Sequence, residues 1–193
     1  TPVIRYGDEI GMGDNLDLPE RNCARTPMQW STEPQAGFTE SDRPFVPVID
    51  EGPYGYQHVN VAKQRRDPNS MLNWTERIIR MRKEVPEIGW GDFRVIATRD
   101  PAILVMRYDW RNNSVLLVHN LDDRPREVTF SVGLAGEAGK HLINLLTEDH
   151  SEADPRGKHR LLLEAYAYRW YLVGGLDYLL KRTDIDGVNK RPG

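Results

Sequence analysis

Residues 103–120 read Ile-Leu-Val-Met-Arg-Tyr-Asp-Trp-Arg-Asn-Asn-Ser-Val-Leu-Leu-Val-His-Asn. Two β-type runs, Ile103 to Tyr108 and Val115 to Asn120, flank the turn signal Arg111-Asn112-Asn113, so the stretch reads as two strands joined by a tight turn. Further runs of the same kind lie on both sides: Phe93 to Thr98 before it, and Glu127 to Val132, Leu142 to Leu146, Arg160 to Leu163 and Ala167 to Val173 after it. Turn signals at Arg99-Asp100-Pro101, Asp122-Asp123 and Gly136 separate them. Short strands at regular spacing with no intervening helix predict an antiparallel sandwich or barrel. Glu127, Thr129 and Ser131 alternate with Val128, Phe130 and Val132, the period-two pattern of a sheet with one wet face. The expectation is an all-β domain over residues 91–180, followed by a polar tail or linker over 181–193.

Upstream the period changes. Met71, Trp74, Ile78, Met81 and Val85 recur at three- and four-residue spacing, opposed by Glu76, Arg77, Arg80 and Lys83, which predicts an amphipathic helix. Ser70 is placed to cap it, and Pro86 ends it at Val85. Residues 1–69 are rich in Gly, Pro, Asp and Asn, with only the β-type run Val3-Ile4-Arg5-Tyr6 before the turn signal Gly7-Asp8. One strand followed by so long a loop is improbable in a compact domain unless the loop packs on something or carries function. The opening Thr1-Pro2-Val3-Ile4 shows neither an initiator Met nor a signal-peptide pattern, so the expectation is a chain that begins inside a domain.

Composition excludes several function classes. The 193 residues carry 26 basic and 29 acidic side chains, a net charge of −3, with no long basic run, which leaves no electrostatic footprint for nucleic acid. The longest apolar stretches fall far short of the ~20 residues of a membrane span. The single Cys23 cannot form an internal disulfide and fits a reducing, cytoplasmic setting. Thiol-based zinc sites are ruled out on the same count.

The sequence contains no GxSxG elbow, HExxH, P-loop or GxGxxG, and its histidines at 58, 119, 141, 150 and 159 have no partner spacing. The acidic cluster Asp8, Glu9, Asp14, Asp17 and Glu20, interrupted by Gly11 and Gly13, suggests an oxygen-rich loop. Its order is not that of a calcium-binding EF-hand, which leaves a solvated or sugar-binding loop ahead of a calcium site. On a strand, Asp8 and Glu9 would point to opposite faces, so only one of them would look into any given cavity.

Two strings carry a resemblance. Thr1 to Met12 is similar to the eighth barrel strand and following loop of the α-amylase superfamily, glycoside hydrolase family 13, and Arg25-Thr26-Pro27-Met28-Gln29-Trp30-Ser31 resembles a loop shared by its α-glucosidases, sucrose isomerases and trehalose synthases. The string Tyr6 to Leu16, with Pro19 to Asn22, Ala36-Gly37-Phe38-Thr39, Val59 to Ala62, Gln64 and Tyr168 to Tyr171, resembles the trehalose-synthase branch, whose members interconvert maltose and trehalose. The resemblance implies a mixed architecture. Residues 1–90 would be the C-terminal β/α unit and active-site loops of a (β/α)8 barrel, with strand eight and the last outer helix, followed by an antiparallel β-sandwich domain.

It also implies a retaining double displacement by an Asp nucleophile, a Glu acid–base and an Asp stabiliser. None of the motifs that carry them occurs here, and His119-Asn120-Leu121-Asp122 does not match the stabiliser pattern. The chain is therefore expected to be a C-terminal piece, inactive alone and completed by the missing N-terminal barrel. By resemblance Arg25 would pair with a carboxylate at the base of a glucose subsite and contact the sugar; a structural salt bridge is the other reading. Asp8, Glu9 and Asp14 are further rim candidates, Trp30 is pocket wall or core, and Tyr54 and Tyr56 are sugar-stacking or packing aromatics. The implied substrate is an α-glucoside such as maltose or trehalose. No cofactor is implied for these residues, with calcium left open for a whole enzyme. A non-catalytic carbohydrate-binding or assembly β-module is the competing reading.

Overall fold

The computed structural model describes residues 2–134 and 139–174, so the turn at Gly136 and the tail over 181–193 lie outside the described residues. The chain divides into two compact units, Thr1–Lys83 and Glu84–Gly193.

The second unit is the β-domain. Strands β1 (Asp92–Ile96), β2 (Ile103–Trp110), β3 (Asn113–Asn120), β4 (Arg126–Phe130), β5 (His141–Asn144), β6 (Ser151–Glu152), β7 (His159–Leu163) and β8 (Tyr168–Val173) follow one another. Six of them form one antiparallel sheet in the order β1-β2-β3-β8-β5-β6, and β4 pairs with β7 as a second, two-stranded sheet. The β2–β3 hairpin is in register from Ile103 opposite Asn120 to Trp110 opposite Asn113. Its two-residue turn needs a left-handed residue, and Arg111 takes it at φ 55° with its guanidinium stacked 4.2 Å above the Trp110 ring.

Period two decides what each strand buries. On β2, Ile103, Val105 and Arg107 point inward; on β4, Val128 and Phe130 are buried while Glu127 and Thr129 are exposed. Ile103, Val105, Leu116, Val118, Leu142 and Tyr171 from the large sheet meet Val128, Phe130, Leu161 and Leu163 from the small one in a single core. Each such side chain contributes roughly 1.5–3 kcal/mol by leaving water. Strand β3 is buried without interruption from Ser114 to Val118, so it is covered on both faces. Buried Asn120 then closes the top of the sandwich: its Nδ2 donates to the carbonyls of Arg124 at 2.7 Å and Glu164 at 2.8 Å, and its Oδ1 accepts from Asp122 N at 3.0 Å. The expected sandwich is present, with β6 as a strand that sequence reading did not foresee.

The first unit is built from loops and short helices. Helix α1 (Val61–Arg66) is capped by Asn60, whose Oδ1 accepts from Lys63 N at 2.8 Å. Helix α2 (Met71–Glu84) follows, with Ser70 Oγ accepting from Asn73 N at 3.3 Å as foreseen, and a short α3 (Glu87–Trp90) opens the second unit and packs on β2 and β3. Two expectations need correction. Val3 to Tyr6 forms no strand, and Val3 is 91 % exposed, because no other strand among the described residues of this unit offers a ladder. The stripe is only partly core in this chain: Val85 is buried, Trp74, Ile78 and Met81 are half-buried and Met71 is exposed. Leu72, off that stripe, is the α2 residue that packs against the unit's own core of Ile10, Met28 and Val61.

Candidate functional site

Most of the candidate residues lie on the loops of the first unit, and three contacts order these loops. A 3-10 turn, Asp8–Ile10, is bracketed by Gly7 at φ 98° and Gly11 at φ 68°, left-handed positions that suit glycine. This turn, not a strand, carries Asp8 and Glu9, so the opposite-faces rule does not apply to them. Glu9 folds back, its Oε2 accepting from Gly7 N at 2.8 Å, while Asp8 Oδ2 accepts from Arg5 N at 2.8 Å.

Arg5 ties the acidic residues together. Its Nη2 lies 3.4 Å from Asp14 Oδ1 and its Nε 4.0 Å from Asp8 Oδ1. A guanidinium therefore occupies the position between these two carboxylates. Among the described residues no three His, Cys, Asp or Glu side chains converge as a metal-ligand set. Sequence reading missed Arg5 because it sits inside the run taken as a strand.

Tyr54 is seated on the same loop. A Cβ on Gly13 would lie 2.6 Å from Tyr54 Cγ, so the ring rests against the glycine backbone, and the residue is still 52 % exposed. The ring thus has one face on protein and open surface beside Asp14, the arrangement in which an aromatic side chain can take an apolar sugar face.

The backbone of that aromatic loop is held by two buried amides. Gln29, fully buried, donates from Nε2 to the carbonyls of Tyr54 at 3.0 Å and Val59 at 2.5 Å; Asn60, also fully buried, donates from Nδ2 to the Tyr56 carbonyl at 2.8 Å. The ladder continues on the main chain, with Val61 N donating to Gln29 O and Ala62 N to Trp30 O, each at 2.9 Å. Gln64 adds a third clamp, its Nε2 donating to Ile10 O at 2.7 Å and its Oε1 accepting from Leu72 N at 2.9 Å. The signal for Gln29 in the sequence is a lone amide in the buried run Thr26 to Gln29.

The structure thus brings together Asp8, Asp14 and Tyr54 around Arg5 and Gly13, with Glu9 bonded into the turn beneath. Tyr56 is half-buried and donates its N–H to Ile49 O at 2.8 Å. Trp30 is half-exposed, its N–H on Ala36 O at 2.9 Å, where Gln35 and Ala36 hold left-handed φ values of 54° and 57°. The Arg25 guanidinium is exposed and makes no ion pair among the described residues, so the structural salt bridge is absent there. Among the described residues no hydrogen bond or ion pair joins Arg25 or Trp30 to Arg5, Asp8 or Asp14.

Asp109, His119, His159 and Tyr171, buried and half-buried groups with displaced pKa values, lie in the β-domain, and each displacement has a structural cause. Burial pushes the Asp109 carboxyl up, but hydrogen bonds from Ser114, Arg94 and Arg107 together with the Arg107 charge outweigh it and hold the group below its usual value. Burial lowers His119 and His159, the latter against a hydrogen bond to Gly139 O, and raises the Tyr171 phenol to about 12. Arg107 is buried, 2.7 Å from Asp109 through Nε and bonded to Ser114 and the Val132 carbonyl, which makes the group a core ion pair.

Comparison with known proteins gives two family matches. Residues 1–91 match the α-amylase catalytic domain, and residues 113–171 match the sucrose hydrolase-like C-terminal domain. Trehalose synthase of Pimelobacter sp. (strain R48) is 33% identical over 177 residues, which is 89% of this chain and 30% of that protein. Trehalose synthase of Thermus thermophilus is 33% identical over 184 residues, 93% of this chain and 19% of that protein. The chain therefore spans less than a third of either relative. Among solved structures, the trehalulose synthase MutB of Pseudomonas mesoacidophila MX-45 superposes with a TM-score of 0.70 at 23% identity, over 90% of this chain and 35% of that one, a likeness of fold. A MutB mutant soaked with trehalulose gives 0.62 at 26% identity over 79% of this chain and 26% of that one.

Proposed function

We propose, for a chain that belongs to the α-amylase superfamily through residues 1–91 and carries a sucrose hydrolase-like C-terminal domain, that it serves as the C-terminal portion of a trehalose-synthase-like α-glucosyl enzyme. The reaction of the whole is the interconversion of maltose and trehalose by retaining double displacement. A covalent glycosyl intermediate of that kind needs two carboxyl groups about 5 Å apart on rigid elements, one as nucleophile and one as acid–base. The acidic pair of this chain does not qualify, since Asp8 and Asp14 are both held by Arg5. The residues present act on binding. Arg25 offers an unoccupied fork of donors, Tyr54 a half-exposed ring, and the Arg5 cluster a polar edge beside it.

The observation that supports this reading best is the pair of buried amides, Gln29 and Asn60, which fix the main chain at Tyr54 and Tyr56 while leaving the Tyr54 ring half exposed. Core packing alone does not call for a rigidly held, outward aromatic loop. The test is an assay of the purified chain with maltose and with trehalose, read by product chromatography. No turnover is expected, and turnover by these residues alone would place the catalytic acids here and end the proposal. Calorimetry with maltose on the same chain separates the competing β-module reading, which requires saturable binding that survives Tyr54→Ala.

A further inference from the structure

Four arginines meet at one groove on the first unit. Arg65 and Arg66 end α1, Arg77 and Arg80 lie three residues apart on α2, and with Pro68 and Glu76 they line an open groove of about 400 Å³. Among the described residues Glu76 is its one carboxylate, bound to Arg80 at 2.5 Å. Arg77 Nη1 donates to the Pro68 carbonyl at 2.7 Å, which leaves the rest of its fork unused. Arg65 and Arg66 are exposed, and their guanidinium groups have no hydrogen-bond or ion-pair partner among the described residues.

This charge is local, because the whole chain carries a net −3. Basic side chains at the end of a helix gain from its partial negative charge, which accounts for a cation at the end of α1 but not for two more on α2 facing the same space. Like charges gathered in a concave site repel one another until an anion neutralises them, and the site concentrates such anions in turn. All four are arginine, the residue whose planar fork matches two oxygens of a phosphate at once. Among the described residues no aromatic side chain lines the groove to select a nucleobase by stacking.

We propose that this groove is a binding site for a phosphate-bearing small molecule, held bidentately by Arg65 and Arg66 with the free side of Arg77 closing on it. It is separate from the Arg5 and Tyr54 loops and does not depend on the glucosyl-enzyme reading. The experiment is isothermal calorimetry on the intact chain at low salt with inorganic pyrophosphate and glucose 6-phosphate, and with glucose as the uncharged control. Both phosphates are expected to bind saturably, to weaken as salt rises and to lose about tenfold or more in affinity in the double variant Arg65→Gln, Arg66→Gln, an effect of the size expected for charge-assisted pairs. Arg43→Gln, exposed and outside the groove, is expected to bind as the unaltered chain does. Circular dichroism checks that the double variant is folded, which the exposure of both residues favours. Absence of saturable binding, equal binding by glucose, or full affinity in the folded double variant overturns the proposal.

Discussion

The ring of Tyr54 lies on the α-carbon of Gly13, so close that an ideal Cβ on Gly13 would meet Tyr54 Cγ at 2.6 Å and Cβ at 2.7 Å. Gly13→Ala must therefore push the ring away, at a cost of about 1–3 kcal/mol, the usual range for an overpacked contact. Denaturant unfolding reads the loss, and hydrogen exchange of the 49–60 loop shows where it falls. An alanine accepted with unchanged midpoint and unchanged loop protection would mean that the ring does not sit there.

Gln29→Leu keeps bulk but removes the donor to the carbonyls of Tyr54 and Val59. Leaving buried acceptors unpaired costs about 1–3 kcal/mol. The expected result is a lower unfolding midpoint together with faster amide exchange at Tyr56 and Val59. A variant as stable as the parent chain contradicts the clamp.

Arg107→Leu leaves Asp109 and the Val132 carbonyl without their buried partner. Removal of one half of a buried pair costs about 3–5 kcal/mol, reduced here because Arg94 and Ser114 still reach Asp109. The Asp109 carboxyl, held below its usual value, contributes stability above its unfolded pKa of about 3.8 and loses it as pH falls through the lower folded value. The variant is expected to show a lower Tm at neutral pH and a shallower decline in acid. A Tm within a degree or so of the parent would show that the pair is dispensable.

His159 is fully buried between Ser151 Oγ at 3.0 Å and the Gly139 carbonyl at 2.9 Å. A carbonyl only accepts, so Nε2 carries the proton and the Ser151 hydroxyl donates to Nδ1 in the neutral ring. Burial lowers His159 and His119 below the ordinary imidazole value of about 6.5, so the unfolded chain binds protons first on acidification. Stability is full above about pH 6.5 and declines as pH falls toward the folded values. Urea midpoints measured at about pH 7.5 and pH 5 are expected to differ, and His159→Gln should flatten the difference. Equal midpoints in the parent chain would refute the buried neutral assignment.

The β-domain was legible because its physics is local. Alternation on Glu127 to Val132 and the short turn after Trp110 specify strand and hairpin within a few residues. Strand β6 was not, since Ser151 and Glu152 are two polar residues that join the sheet through the backbone opposite Leu142 and His141. Nor does any periodicity tell that β4 leaves the large sheet to pair with β7. In the first unit the motif strings located the loops, but a strand at Val3 to Tyr6 requires a neighbouring strand that no residue of the run supplies. Gln29 escaped because it acts across 25 to 30 residues on the carbonyls of Tyr54 and Val59, which leaves no spacing pattern to read, and Arg5 because it lies inside the β-type run Val3 to Tyr6.

The order β1-β2-β3-β8-β5-β6 places β8, the last strand among the described residues, near the middle of the main sheet. The β1–β3 meander and the β5–β6 hairpin share no ladder of their own, so Tyr168 to Val173 is the strand that joins them into one sheet. Val115 pairs with Leu172, so the joining contacts close a long stretch of chain at one stroke. Continuity of the main sheet therefore rests on β8. Loss of β8 would leave two open strand edges, at β3 and at β5, the kind of unpaired edge that invites pairing with another chain.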